Sequence, residues 1–348
     1  MLLTQDLKVL AKQVNSNLLK MHYHYMSNSR AIKALENIEK QKGKLNTKSR
    51  KKSLEYATEI LGWRGYAPWL NVYTAISGSF KEGWIPDNYY GKVVIPKIQG
   101  EYGKISFLKP LTNKLLNNSV CPDLAYFING QWFSTDFKRL QPKQVINKIF
   151  SQAEKFCYKV DDTYQGLGVF IYDKKSLDID LLQNKGNGVL QSYIMQHAFF
   201  TEFHLTSTAT IRMTTVIDSN GNPSLRASYL RLGRNNDTHI ISDSHIRIPI
   251  NNSSGRLHEV GYLANWQSID HHPDSKIFFL NKIIPNFDDC IRLVLHLHEQ
   301  LVMVRAIGWD LTVNQQGDPV LIEWNGYSND IKFSEATQGP CFKDLGWI

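Results

Sequence analysis

The sequence has no apolar run of about 18 residues, so no membrane-spanning helix is expected. Cysteine is scarce: Cys121, Cys157, Cys290 and Cys341 lie far apart and form no C-x-x-C pair. That spacing excludes a zinc ribbon and a disulfide scaffold, and suits reduced thiols in the cytoplasm. The N-terminus lacks a basic region followed by an apolar core, so no secretory signal is expected. Internal repeats and low-complexity linkers are absent too, as is a Walker A loop or a six-residue dinucleotide fingerprint. Nothing in the sequence makes a convincing Ser-His-Asp or Cys-His arrangement. His296 and His298 stand two apart on an expected helix, face different ways, and are not expected to pair on a metal.

What is present is 348 residues, 42% hydrophobic and 21% charged, enough for a real core in more than one lobe. The net charge of +8 comes almost wholly from Lys40, Lys42, Lys44, Lys48, Arg50, Lys51 and Lys52, a run that contains no acid. It could touch an anionic lipid surface, nucleic acid or a phosphorylated substrate, although such blocks are usually just solvated. Contact at the inner face of a membrane would follow from the first case.

Leu3, Leu7, Leu10, Val14 and Leu18 recur at helical steps, which predicts an amphipathic helix packed on the main body and a helical region over 1–60. Residues 61–120 are aromatic, rich in Pro and Asn-Asp clusters, and read as loops that contribute to an acceptor site. From 121 onward short apolar runs alternate with turns. Asn129-Gly130 between two such runs predicts a hairpin. Strands are expected around 156–160, 166–172, 209–217, 228–232, 306–313 and 319–324, with a helix over 288–302. The pattern is α+β with antiparallel sheets rather than alternating βαβ. It divides into 121–190 and 191–348.

Three groups of residues carry chemistry. Glu323 and Asn325 are two apart on a strand, so both face one side, and Asp310 lies on the neighbouring strand of the same hairpin. Three hard oxygen ligands on one face suit Mg²⁺, with phosphate oxygens completing its shell. Lys159 stands in an apolar strand before Gln165, Gly166 and Gly168, where an ammonium and loop N–H groups could surround phosphates. Arg212, Arg231 and Arg234 sit on or beside apolar strands, where guanidinium demands a carboxylate or phosphate partner.

In this order the groups resemble the ATP-grasp superfamily: strand lysine, glycine loop, adenine hinge at Leu190-Gln191-Ser192-Tyr193-Ile194, arginine strand, then Asp310 and a distant E-x-N. More narrowly, residues from about 105 to 348 resemble the sugar-transfer-associated ATP-grasp family of bacterial surface-polysaccharide gene clusters. Thr208-Ala209-Thr210-Ile211-Arg212-Met213, Leu230-Arg231-Leu232-Gly233-Arg234, His272-Pro273-Asp274 and Ile307-Gly308-Trp309-Asp310 carry that likeness. Gln191 stands where a glutamate is common, and Val160 where proline often follows the lysine.

The resemblance implies an ATP-grasp fold of two antiparallel lobes holding ATP between them. Lys159, Gln165, Gly166, Gly168, Gln191, Ser192, Tyr193 and Ile194 would bind the nucleotide. Asp310, Glu323 and Asn325 would hold Mg²⁺, with Mn²⁺ an alternative, and Arg212 and Arg231 would be catalytic. One of Lys109, Lys114 and Lys138 would supply a further nucleotide lysine. The implied activity is ADP-forming ligation of a carboxylate-bearing sugar or small molecule to an amine or amino acid. A phosphotransferase on the same fold is the alternative. A polyanion-binding protein with a degenerate nucleotide site is the third reading.

Overall fold

The computed structural model describes residues 2–117, 120–163, 166–204, 206–235, 237–240, 244–327 and 329–348, with side chains from residue 14 onward. The chain forms two compact units. The first comprises 1–98, 265–267 and 330–348, and the second 99–264 and 268–329. No helix among the described residues is long and apolar enough to cross a membrane.

The first unit is helical. Helix α1 (Leu2–Lys42) buries His24, Ser27, Ala31, Ala34, Leu35 and Ile38. The apolar stripe expected further upstream does not pack as predicted. Val14 and Leu18 are 51% and 59% exposed, and the side chains of Leu3, Leu7 and Leu10 lie outside the described residues. The small side chains of Ser27, Ala31 and Ala34 favour close packing instead, and Ser27 Oγ accepts the Trp69 indole N–H at 2.9 Å.

Residues 61–120 contain more helix than their turn-forming composition suggests. Helix α3 (Ala67–Ser77) has proline in its first turn and ends at left-handed Gly78. Between them, α2 (Thr47–Glu55) begins at Asn46, whose side chain accepts the Ser49 N–H. The basic run spans the end of α1, the linker and α2. Arg50 pairs with Glu39 and Lys51 with Glu55, leaving most of its charge in solvent.

Glu335, on helix α6 (Lys332–Thr337) in the same unit, is fully buried and accepts the N–H groups of Ile85 and Cys341, both at 2.7 Å. Burial pushes its carboxyl up from 4.5 to about 7. The folded chain therefore holds a proton that the unfolded chain loses above about 4.5. The stability linked to this group is full below that pH and falls as pH rises towards 7. Glu335→Gln should flatten that slope, and equal slopes in urea melts of the two proteins between pH 4.5 and 7 would refute it.

The second unit carries two antiparallel sheets. The smaller contains β1 (Asp123–Ile128), β2 (Gln131–Phe133), β3 (Arg139–Leu140), β4 (Lys155–Val160), β5 (Val169–Asp173) and β6 (Gly188–Ser192), in the order β3-β2-β1-β6-β4-β5. The expected hairpin joins β1 and β2, with Asn129 and Gly130 both at positive φ. Helix α4 (Pro142–Gln152) packs Val145 and Ile149 against Phe156 and Tyr158.

The larger sheet contains β7 (Thr210–Ile217), β8 (Pro223–Leu232), β9 (Ile246–Ile250), β10 (Gly261–Tyr262), β11 (Ser268–Ile269), β12 (Ala306–Val313) and β13 (Pro319–Asn325), in the order β11-β10-β9-β8-β7-β12-β13. Helix α5 (Phe287–Glu299) covers one face with Cys290, Val294 and Leu297, against Trp309, Leu311 and Val313. His298 is buried on this helix between Thr215 Oγ1 and the Val304 carbonyl, and burial lowers its pKa to about 4. His296 is exposed, so the two histidines part as expected. The opposite face of this sheet carries the candidate site.

Candidate functional site

Strand β12 alternates strictly. Trp309, Leu311 and Val313 enter the core, which leaves Gly308, Asp310 and Thr312 on the other face. Its partner β13 does not alternate strictly. Leu311 faces Leu321, but Asp310 faces Glu323, so Ile322 is an extra residue in a β-bulge. The bulge has two effects. It puts Leu321 in the core and Glu323 on the site face, although the two are only two residues apart. It also takes the Ile322 carbonyl out of the ladder, where Lys159 Nζ of the smaller sheet donates to it at 2.8 Å.

Asp310 is the hub. Arg212 donates to both its carboxylate oxygens, Nε to Oδ1 at 2.6 Å and an Nη to Oδ2 at 3.0 Å. Arg231 donates to Oδ1 as well, and Asn325 Nδ2 to Oδ2 at 3.3 Å. Register explains the convergence, since Arg212 faces Asp310 directly and Arg231 lies on the next strand. Burial alone would push this carboxyl up, but the two guanidiniums outweigh it and hold it down at about 2. Arg231 Nε is buried without a hydrogen-bond partner, so a donor is left over for a ligand oxygen. Glu323 makes no hydrogen bond or ion pair among the described residues, and its carboxylate stays open.

The smaller sheet contributes Lys159, which is buried on β4. Gly166, at φ +82, lets the loop turn, and its carbonyl meets His239 Nε2 at 3.0 Å. A side chain at Gly168 would collide with Thr163. Gln165 lies outside the described residues. Of the three further lysines, Lys114 and Lys138 are exposed, and Lys138 pairs with Asp136 at 2.8 Å. Lys109 is buried, and its backbone N–H caps the Asp161 carboxylate at 3.0 Å, just after the Lys159 strand. Burial raises the Asp161 carboxyl to about 6, while Lys109 opposes the rise.

In the expected hinge, Gln191 and Ser192 end β6, and Tyr193 and Ile194 continue beyond it. Gln191 is not free to face a ligand. Its amide donates to Asp123 at 2.7 Å, and the same half-buried carboxylate accepts from Asn113 and Tyr126. Burial pushes the Asp123 carboxyl up.

Arg234 stands apart. It forks onto Asp274, with Nε to Oδ2 at 3.0 Å and an Nη to Oδ1 at 3.1 Å, which is the ordinary salt-bridge role. Three residues escaped the sequence reading. Arg247 on β9 faces Arg231 across the strands, so three arginines line neighbouring strands. Its signal was available, an arginine alternating with Ile246 and Ile248 in an apolar strand. Asp123 and Asn329 gave none, because each is defined only by what folds around it.

A divalent cation can be tested against this donor set. Among the described residues no three His, Cys, Asp or Glu side chains gather as a cluster. Asp310 has its lone pairs taken by four donors, whereas among the described residues Glu323 is open and the Asn325 amide oxygen accepts no hydrogen bond. One open carboxylate and one amide oxygen, beside a second carboxylate, fit Mg²⁺ that shares its shell with phosphate oxygens. Lys159, Arg212, Arg231 and Arg247 outnumber Asp310, Glu323 and Asp123, so the site carries a small positive excess, which suits a polyphosphate.

The family described as sugar-transfer associated ATP-grasp matches residues 98–344. Among solved structures, an N5-carboxyaminoimidazole synthetase from Staphylococcus aureus complexed with ADP matches at 11% identity and a TM-score of 0.38, over 66% of this chain and 47% of that one. An L-amino acid ligase from Bacillus licheniformis matches at 12% identity and 0.39, over 70% and 45%. A biotin carboxylase from Campylobacter jejuni in complex with β,γ-ATP matches at 11% and 0.46, over 90% and 67%. The chain thus spans about half the length of the synthetases it matches. No curated protein sequence matches it.

Proposed function

Since the chain belongs to the sugar-transfer-associated ATP-grasp family and has the antiparallel α+β fold of ATP-grasp enzymes, we propose that it is an ADP-forming carboxylate–amine ligase of bacterial surface-glycan synthesis. The observation that supports this most is the buried Asp310–Arg212–Arg231 cluster beside an open Glu323. In this reading the guanidiniums serve oxyanions and Glu323 serves a cation, side by side on one sheet face.

Here Lys159 and Lys109 bind nucleotide phosphates, and Ser192, Tyr193 and Ile194 line the base, while Gln191 is held back by Asp123. Mg²⁺, with Mn²⁺ as a substitute, would be held by Glu323 and Asn325 beside Asp310, and would supply charge neutralisation at the phosphates. The substrate carboxylate oxygen attacks the γ-phosphorus, the bond to ADP breaks, and an acylphosphate forms. The amine lone pair then attacks the carbonyl carbon, phosphate leaves with its bonding electrons, and the amine gives up a proton. Arg212 stabilises the transferred phosphoryl oxygens and the tetrahedral oxyanion, and the spare Arg231 Nε adds a donor.

The test is product analysis with sugar acids and amines. ADP and inorganic phosphate should appear in equal amounts with an amide, and hydroxylamine should trap a hydroxamate. Turnover that ends in a phosphorylated sugar would make the protein a kinase instead. AMP with pyrophosphate would point to an adenylate.

Lys159→Met keeps length and removes charge. It should raise the KM for ATP about tenfold or more, as one charge-assisted phosphate contact is worth about 1.5–3 kcal/mol. An unchanged KM for ATP would remove Lys159 from the nucleotide site.

A further inference from the structure

Two polar side chains beside the Asp310 cluster are buried and satisfy nothing. Asn329 is 4% exposed, yet among the described residues neither its amide oxygen nor its amide nitrogen has a hydrogen-bond partner. Thr214 is 1% exposed, and its hydroxyl is equally unpartnered. A buried amide or hydroxyl left in this state is costly, and each one calls for an explanation such as a ligand that would meet it.

Both lie against Gly308. Across the sheet, Thr214 of β7 faces Gly308 of β12, which faces Asn325 of β13. The middle residue of this row has no side chain, and the Asn329 amide rests on it. A Cβ built on Gly308 would come 2.2 Å from Asn329 Oδ1 and 3.3 Å from an Nη of Arg212. The glycine thus makes room for the Asn329 amide, with Thr214 and Asn325 on its flanks and guanidinium at its edge.

We propose that this cluster of unpartnered groups binds the acceptor beside its reacting carboxyl group, and that the acceptor is a hydroxy acid such as a sugar acid. The inference rests on the ligase reading and adds the substrate class. The logic is one of donors and acceptors. A carboxylate only accepts, and Arg212 serves it. A hydroxyl both donates and accepts, as do the Thr214 hydroxyl and the Asn329 amide taken as a whole. A plain carboxylic acid would leave Asn329 Oδ1 unpaired, whereas a hydroxyl near the carboxyl would satisfy it. Asn329 and Thr214 are positioning residues in this scheme.

Asn329→Leu and Thr214→Val keep approximate volume and remove the unpaired groups. Thermal melts of the full chain should show Tm unchanged or raised by about 1–3 °C, since nothing in the free protein uses these atoms. With D-glucuronate as acceptor probe, KM should rise about tenfold in either variant, while the KM for ATP stays within about twofold. Wild type should bind lactate more tightly than propionate, and Asn329→Leu should abolish the preference.

A Tm lowered by several degrees in both variants would make the groups structural and overturn the proposal. So would an unchanged KM for the acceptor, or a KM for ATP that rises in step with it. Failure of wild type to bind D-glucuronate or to prefer lactate would overturn the hydroxy-acid class. Failure of the ligase reading shows separately, as a phosphate ester in place of an amide in every variant.

Discussion

Asp310→Ala should cost about 3–5 kcal/mol of stability and eliminate measurable ATP turnover. The size of the effect follows from what the substitution leaves behind. Asp310 is buried and accepts from Arg212, Arg231 and Asn325 at once. Its removal strands two guanidiniums in the second unit, of which Arg212 is 6% exposed. Breaking one side of a buried ion pair is far more costly than replacing both sides. Arg212→Met in the Asp310→Ala background should therefore recover part of the lost stability, although not the activity. The carboxyl also titrates at about 2, so the cluster should stay ionised through any working pH. Urea unfolding of the single and double variants decides the matter. A loss below about 1 kcal/mol in Asp310→Ala, the value of an exposed pair, would show that the cluster is not the anchor described here.

Glu323→Gln should behave in the opposite way. Its carboxylate has no partner among the described residues, so removing the charge should leave the melting temperature unchanged. Mg²⁺-dependent ATP turnover should nevertheless fall about tenfold or more, with each decade worth about 1.4 kcal/mol of barrier. The Mg²⁺ concentration for half-maximal rate should rise in the same variant, because an amide is a weaker ligand than a carboxylate. Wild-type turnover with a wild-type Mg²⁺ requirement would refute the role given to Glu323. Together the two substitutions would separate neighbouring carboxylates that face each other across the β12–β13 ladder, one expected to hold the fold and the other to serve the proposed reaction.

Much of this arrangement is legible in the sequence. Period-two patterning marks β7, β8, β12 and β13, and the Asn-Gly pair marks the β1–β2 hairpin, because these signals are local. The order of Lys159, Arg212, Asp310 and the Glu323–Asn325 pair gives the family. Other features were hidden for physical reasons. The packed face of α1 depends on small residues that let Trp69 approach, and hydrophobic spacing points to a different stretch of the helix. Gln191 reads as a base-binding hinge residue, yet it turns towards Asp123, a partner 68 residues away. Arg212 and Arg234 look alike in sequence. Only the fold shows that one meets Asp310 in the interior and the other Asp274 near the surface. Asn329 follows an E-x-N motif in a turn-like stretch, and its lack of partners is a property of three-dimensional space.

The bulge at Ile322 has a consequence for how the strand tolerates change. If Ile322 were deleted, Leu321 would still oppose Leu311, Glu323 would still oppose Asp310, and Asn325 would still oppose Gly308, now in an unbroken ladder. Pairing and facing therefore do not need the residue. What the chain would lose is the carbonyl that receives the Lys159 ammonium. Ile322 is in effect a spare link, whose main-chain oxygen fastens the smaller sheet to the strand of Glu323. A strand shortened by that single position would keep its acidic and amide residues in place, and would leave the Lys159 ammonium without its resting place.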